Sequence, residues 1–369
     1  MRDINIILQV TLITMLIILV GRVAIRLDYS HSYEISSYRQ VYEGSQYTGG
    51  AGLIPDQTVF AYAGGAYIQG VNPLKVNPEM PPLGKYLLGL SILAFGNTNH
   101  LILLCAVFTL VMLYILGFML LNNSVASLIV VLLFASEKLF LDQLIISPLL
   151  DIIQLPFIFL SFYFFLRAVG QKKDVYFVAA GLALGFVASI KVMITAILIG
   201  ASWVLYSVIR KQYKNLVKLV LITAPASFSV LVISYIRILI DNNSFWYFLL
   251  VQKWVFLYQQ SKIQFPFSGW RLLMFNQWQA WWGDYSILHA VDWNICWPIV
   301  TVVSFGYIIY KILRKENWSN IEGIIASWIL TYSILISFGT ISTRYLLPFL
   351  PFLYLFSMKF LLDFLNKFR

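Results

Sequence analysis

The sequence predicts an all-α, polytopic membrane protein, and three observations support this fold class. Of its 369 residues, 60% are hydrophobic and only 11% are charged, with a mean hydropathy of +0.79; soluble domains are about 45–50% apolar. Apolar runs of about 20 residues recur along nearly the whole chain, and a helix of that length crosses a hydrocarbon core of about 30 Å. The runs must be helical because lipid offers no partners for free backbone groups.

The apolar runs predict about ten spans within one membrane domain, 1–369. The first run lacks a small-residue cleavage site and is followed by Arg26, which predicts a retained span rather than a cleaved signal peptide. The predicted spans are roughly residues 4–24, 101–121, 124–138, 150–168, 175–190, 192–209, 216–239, 295–313, 321–340 and 345–366.

Basic clusters orient these spans. If the spans alternate, one side of the membrane collects Lys172, Lys173, Arg210, Lys211, Lys214, Lys218, Lys311, Arg314, Lys315, Lys367 and Arg369. The positive-inside rule makes that side the cytoplasm, so the net charge of +10 needs no nucleic-acid partner. Two long non-spanning regions, about 25–100 and 240–294, then lie outside, and loops of this size are usually functional.

The first outer loop, 25–100, contains two short apolar stretches, 58–71 and 83–96, which carry Gly and Pro. Both are short for spans, so we expect helices in or near the outer interface. If 83–96 crossed the membrane instead, the agreement among the basic loops would be lost.

The second outer loop, 240–294, is rich in aromatic residues. Tryptophan and tyrosine favour the headgroup level, so these side chains form either an interfacial belt or a wall for a sugar or polyprenyl chain. The aromatic residues in and beside this loop are Trp246, Tyr247, Trp254, Tyr258, Trp270, Trp278, Trp281, Trp282, Tyr285, Trp293 and Trp297.

Neither cysteines nor histidines indicate a metal site. Cys105 and Cys296 lie far apart in or beside apolar runs, as packing residues do, and the three histidines are scattered. We therefore predict no metal centre, with one alternative: Asp56 and Glu79 could hold a divalent ion through water.

Four charged residues recur at predicted outer span edges: Asp56, Asp151, Lys191 and Arg344. Placing a charged side chain in or near a bilayer costs free energy, so each of these residues is expected to have a structural or functional role. Asp56 is either a helix N-cap or a general base. The two cations either snorkel to headgroups or bind a phosphate, and Asp151 either orients one of them or bonds a backbone turn.

The chain resembles the membrane-embedded glycosyltransferases of the GT-C fold, in particular the dolichyl-phosphate-mannose protein mannosyltransferase-like family and its aminoarabinose-transferase relatives. The resemblance is carried by five segments in shared order: Asp56-Gln57, 80–85 (MPPLGK), 141–151 (LDQLIISPLLD), 181–191 (GLALGFVASIK) and 343–351 (TRYLLPFLP).

This resemblance implies a GT-C-like bundle that transfers a sugar from a polyprenyl-phosphate carrier to an acceptor hydroxyl, with inversion. It makes Asp56 the general base, assisted by Asp151. The lipid-linked donor would meet Lys191 and Arg344 at its phosphate, and the substrate-binding set also includes Lys85, Glu79 and Tyr345.

The resemblance also implies an integral membrane location with the site facing outside, at the plasma membrane if the host is bacterial. Membrane lipids are further expected partners. The acceptor class (protein, lipid or glycan) stays open, as does the sugar.

Two departures from the family pattern matter. Gln57 stands where a second acid is usual and Met80 where a histidine is usual, although Glu79 could substitute. The segment before Asp56, with Asp28, could cover the site. Two other function classes therefore stay open: a membrane transporter, although we see no repeated halves, and a non-catalytic scaffold of envelope glycan assembly.

Overall fold

A computed structural model describes residues 2–29, 54–240, 245–260, 265–280, 284–338 and 342–367. The described residues are almost entirely helical, which confirms the predicted fold class. The first half of the chain contains helices α1 Arg2–Arg26, α2 Asp56–Ile68, α3 Leu83–Phe95, α4 Asn99–Leu121, α5 Ser124–Ala135, α6 Lys138–Ile145, α7 Leu150–Gln171 and α8 Asp174–Ile190.

The second half continues in the same manner, with one small ribbon. Its elements are α9 Ile194–Ile209, α10 Tyr213–Lys218, a π-helical turn Leu219–Thr223, α11 Ala224–Ser234, α12 Ile236–Ile240, α13 Phe245–Gln260, α14 Ser268–Phe275, β1 Trp278–Gln279, β2 Ile287–Leu288, α15 Cys296–Leu313, α16 Asn320–Phe338, a 3₁₀ turn Thr343–Leu346 and α17 Leu350–Asn366. Strands β1 and β2 pair antiparallel.

Six described helical segments are long and apolar enough to cross a membrane, and the α5–α6 pair, bent by 56°, makes seven if it counts as one span. The chain is therefore an integral, multi-pass membrane protein. The predicted count of about ten is not confirmed, because helices α8, α9 and α17 have only 17, 16 and 17 residues.

The core lies where α4, α7, α9, α16 and α17 meet, and aromatic rings fill it. Phe165 stacks on Trp203 with ring centroids 4.5 Å apart. Phe162 lies edge-on to Trp328 and also contacts Phe352. The packing of these rings holds the helices in fixed positions, because van der Waals packing is what drives helices together in lipid.

Two glycines let α8 approach the helical span Tyr213–Ser234 closely. A Cβ built on Gly181 would lie 2.4 Å from the Thr223 carbonyl oxygen, and one on Gly185 would lie 2.6 Å from that of Ser227. The π-helical turn ends just before Pro225, which has no N–H to continue the α-helical pattern.

Helices α2 and α3 fall in the predicted first outer loop and pack on each other. Each has 13 residues, about 20 Å at 1.5 Å per residue, which is too short for a 30 Å core. Their contact is a glycine pair, since a Cβ on Gly89 would lie 2.4 Å from the Gly64 carbonyl oxygen. Their interfacial position stays a prediction, and the proposed cover over 30–53 lies outside the described residues.

Candidate functional site

Asp56 and Arg344 form an ion pair across 288 residues of sequence. Asp56 is the first residue of α2, and Pro55 occupies the N-cap position. The N-cap interpretation of Asp56 is therefore wrong. The Asp56 carboxylate instead accepts a hydrogen bond from Arg344, with Nη1 2.6 Å from Oδ2. The side chains are 46% and 27% exposed, so the pair lies at the surface of the site and within reach of a ligand.

Arg344 sits in the 3₁₀ turn that precedes α17. The predicted span 345–366 begins later, at Leu350, with Pro348 and Pro351 flanking that start. Burial works against the guanidinium charge, but Asp151, Tyr345 and Asp56 together hold the pKa of Arg344 above its usual range. The turn thus presents a permanent cation between two carboxylates.

Lys191 and Asp151 form a second, buried pair beside the first. Lys191 directly follows the last residue of α8, and Asp151 lies in the first turn of α7. The ammonium group donates to Asp151 Oδ1, and both side chains are 7% exposed. Asp151 Oδ2 has no hydrogen-bond partner among the described residues. The predicted orienting contact of Asp151 with a cation is therefore present, with Lys191 as its partner.

Tyr345 joins the two pairs. The Lys191 ammonium lies 4.5 Å from the centroid of the Tyr345 ring, and the Arg344 guanidinium carbon lies 5.8 Å from it. The Tyr332 hydroxyl donates to the Tyr345 carbonyl oxygen and fixes the turn from below. The structure thus gathers Asp56, Arg344, Tyr345, Lys191 and Asp151 into one connected set.

Lys85, predicted to bind substrate, contacts the turn that precedes its own helix. Its side chain is fully buried, and the ammonium donates to the Asn77 carbonyl oxygen at 2.6 Å, to Asn77 Oδ1 at 3.1 Å and to the Met80 carbonyl oxygen at 2.8 Å. Burial lowers the pKa of Lys85 to about 7, against the opposing charge of Glu79. Direct substrate binding by Lys85 is not supported, because these acceptors use its three protons. The residue fixes the turn that carries Glu79.

Glu79 and Asp56 both act electrostatically on Tyr258, a residue that the sequence analysis did not single out. Burial raises the pKa of Tyr258, at the end of α13, and the negative charges of Glu79 and Asp56 raise it further. Tyr258 therefore lies near both acids. Its only sequence signal was membership of the aromatic second outer loop.

Asp292 is a second residue that the sequence prediction missed. Burial raises its pKa, and a hydrogen bond from Thr343, next to Arg344, opposes that rise. The negative charge of Asp142 also raises it, whereas Lys138 lowers it. The second outer loop thus contacts the turn that presents Arg344.

Glu137 is a third residue that the sequence prediction missed, and it lies at the bend between α5 and α6. It is 3% exposed and accepts hydrogen bonds from the Tyr354 hydroxyl, from Trp297 Nε1 at 3.1 Å and from Asn294 Nδ2 at 3.5 Å. An acid between two apolar stretches was the available signal. Its bonds tie α15 and α17 together beneath the turn.

The aromatic second loop divides into two groups. In α13, Trp246 and Trp254 are 73% and 50% exposed, as interfacial side chains are. Trp297 is fully buried, and Trp270 donates to Ser337 Oγ at 2.8 Å. Trp297 and Trp270 thus pack inside the protein, the two predicted roles of belt and wall both stay predictions, and Trp281 and Trp282 lie outside the described residues.

Metal ligands do not cluster in the part of the chain that the structure describes: no three His, Cys, Asp or Glu side chains there are grouped so as to hold an ion. The side chains that the structure gathers at the site are carboxylates, cations and one tyrosine ring. Two carboxylates can accept protons or orient cations, and the two cations can bind and neutralise a phosphate.

Comparison with known proteins relates this arrangement to a family. Residues 79–261 match the family model described as dolichyl-phosphate-mannose-protein mannosyltransferase. A comparison with curated proteins found no significant match.

Among solved structures, the crystal structure of ArnT from Cupriavidus metallidurans bound to undecaprenyl phosphate is similar, with a TM-score of 0.56 at 11% identity over 89% of this chain. The match covers 60% of that protein's chain, so this chain spans well under its full length. Together, the family match over 79–261 and the shared architecture confirm the predicted resemblance to the GT-C-fold, mannosyltransferase-like proteins.

Proposed function

We propose that this protein is a membrane glycosyltransferase that takes a sugar from a polyprenyl-phosphate carrier and attaches it to an acceptor hydroxyl. The observation that carries the proposal is the Asp56–Arg344 ion pair with Lys191 beside it, at one end of the helical bundle. The family match over 79–261 supports the reaction class. The lipid bound to ArnT supports a polyprenyl-phosphate donor.

The proposed donor site consists of Arg344, Lys191 and Tyr345. Arg344 offers a fork of N–H donors for two phosphate oxygens, and Lys191 contributes a compact positive charge. Asp151 holds the Lys191 ammonium group in place. Because an ammonium group has three protons, at least one of them points away from this contact. Charge that develops on the leaving phosphate is best stabilised by cations already fixed in a partly buried site.

The proposed reaction is a single displacement with inversion. The acceptor oxygen forms a bond to the anomeric carbon as the bond from that carbon to the phosphate oxygen breaks. Asp56 removes the acceptor proton, and the leaving polyprenyl phosphate keeps the electron pair against Arg344 and Lys191. The acceptor is proposed to enter beside Glu79 and Tyr258, since the charges of Glu79 and Asp56 both act on Tyr258.

The proposed orientation puts this site outside the cytoplasm. Helix α8 leads from Lys172 and Lys173 at one end to Lys191 at the other, and α17 leads from Arg344 to Lys367. The basic loops therefore lie at the opposite end from Asp56, as the positive-inside rule requires of an outward-facing site.

The test is transfer from a radiolabelled polyprenyl-phosphate sugar by the purified protein. Loss of a general base costs about 10²–10⁴-fold, so we expect Asp56→Asn to abolish measurable transfer. The matched control is Asp142→Asn, which removes a partly exposed acid that pairs with Lys138 on the same side of the bundle. Arg344→Lys should mainly weaken donor use, because a point charge replaces the fork.

If the Asp56→Asn variant still transferred sugar, Asp56 would be ruled out as the general base. An unmodified protein that transfers no sugar from any donor, although folded, would favour the scaffold or transporter alternatives.

A further inference from the structure

A second group of charges lies at the basic end of the bundle. Lys311 and Glu322 are both 5% exposed on their side chains, with Nζ 2.9 Å from Oε1. Asp363, on α17, accepts from Lys359 at 2.6 Å and from the Tyr307 hydroxyl. Asp363 lies 13 residues beyond the start of α17, about 20 Å along the helix from the Arg344 end. These residues therefore do not belong to the proposed sugar-transfer site.

A cavity of about 580 Å³ opens beside this group. Its walls are largely aromatic, with Tyr307, Tyr310, Phe360 and Phe364, and its mouth carries Glu316 and Lys367. This volume is within the usual range of small-molecule sites, about 300–1,000 Å³. Charged side chains kept inside a membrane bundle are costly and usually mark a site of function.

The mouth of the cavity presents opposite charges side by side. Lys367 Nζ lies 2.5 Å from the Tyr310 hydroxyl and 3.6 Å from Glu316 Oε1. Lys367 and Glu316 are 54% and 37% exposed, so both can be reached by a ligand. A purely anionic headgroup would meet repulsion from Glu316 and Asp363. A zwitterionic headgroup satisfies both signs of charge.

We propose that this cavity binds a phospholipid with an amine-bearing headgroup, taken from the leaflet at the basic end of the bundle. Its phosphate would contact Lys367 and the Tyr310 hydroxyl, and its ammonium would contact Glu316. An acyl chain would lie along Phe364, which is 47% exposed, and the neighbouring ring of Phe360. The proposal is independent of the proposed sugar transfer.

The test uses the full-length, delipidated protein in detergent and measures retained lipid by native mass spectrometry. Phosphatidylethanolamine and phosphatidylglycerol are added at equal concentration, and we expect at least fivefold greater retention of phosphatidylethanolamine. Lys367→Met should lower that retention about tenfold, because a charge-assisted contact to the phosphate is lost. Glu316→Gln should remove the preference between the two lipids.

The matched control is Lys214→Met, which removes an exposed basic residue from the short helix α10, proposed to lie at the same end of the bundle. It should leave retention unchanged, and every variant is first checked for an unchanged melting temperature. Equal retention of the two lipids by the unmodified protein would overturn the proposal. So would unchanged retention by Lys367→Met, or an equal loss in the Lys214 control.

Discussion

Replacing Lys191 with methionine should destabilise the protein by about 3 kcal/mol. The substitution keeps most of the side-chain volume but leaves the Asp151 carboxylate, 7% exposed, without its partner. Removing one member of a buried ion pair costs about 3–5 kcal/mol. We expect the lower end of that range because Arg344 still stabilises the Asp151 charge.

An exposed ion pair provides the control. Lys138 and Asp142 are 52% and 30% exposed, and their charged atoms lie 2.6 Å apart. Surface pairs contribute about 0–1 kcal/mol, so Lys138→Met should change the free energy of unfolding by less than about 1 kcal/mol. A short distance alone would not distinguish the two sites, whereas burial does.

The free energy of unfolding is measured in mixed micelles by tryptophan fluorescence across a denaturant series. Adding Asp151→Asn to Lys191→Met should restore at least half of the lost stability, because a neutral amide needs no cation. A loss from Lys191→Met as small as that from Lys138→Met would refute the reasoning. So would a double variant no more stable than the single one.

Three further predictions concern packing, a buried acid and pH. Gly89→Ala should cost about 1–3 kcal/mol, because its Cβ would lie 2.4 Å from a backbone oxygen of Gly64, whereas Gly21→Ala, with nothing within 4 Å, should not lower the melting temperature. Glu137→Gln should lower the free energy of unfolding by about 1–3 kcal/mol, because the nitrogen of an amide cannot accept a hydrogen bond as the second carboxylate oxygen does. Trp297→Phe removes one of the donors, so the double variant should lose less stability than the sum of the two single variants. The lowered pKa of Lys85 means that folding releases its proton between about pH 7 and 10.5, so the free energy of unfolding should rise by about 1.4 kcal/mol per pH unit in that window and stay flat below pH 7; a Lys85→Met variant that keeps this slope would contradict the assignment.

The sequence carried enough information to predict which charged residues share one end of the bundle. Asp151 and Lys191 stand at opposite ends of two consecutive apolar runs, so alternation of spans alone puts them on the same side. The same parity brings Arg344 to that side. Hydropathy and the basic loops predict which side of the membrane this is, and the ends of packed helices lie close enough for ion pairs.

Pairing within that end was not predictable, because it depends on packing details. The side chain of Lys85 points back toward the start of α3, as helical side chains do, and so reaches the Asn77 turn rather than the site. Glu137 was overlooked because its partners, Trp297 and Tyr354, are 160 and 217 residues away. Span length failed as a guide for α8 and α9, since both run short of the usual twenty residues.

The Asp56–Arg344 pair has a consequence for the order of events in the proposed reaction. Arg344 donates from Nη1 to Asp56, so a lipid phosphate that takes this same donor should release the carboxylate that acts as base. Asp56→Asn removes that competitor. We therefore expect the variant to bind sugar-free polyprenyl phosphate more tightly than the unmodified protein while it transfers no sugar.

The expected gain follows from the exposure of the pair. Because Asp56 is 46% and Arg344 27% exposed, the interaction is worth about 0.2–1 kcal/mol, which corresponds to an affinity gain of up to about fivefold. Isothermal titration with polyprenyl phosphate in detergent measures it, and Asp142→Asn, an acid that pairs with Lys138 and not with Arg344, should bind as the unmodified protein does. Weaker binding by Asp56→Asn would mean that the carboxylate holds Arg344 in place for the phosphate rather than competing for it, and the base would then have to be released by some other change in the site.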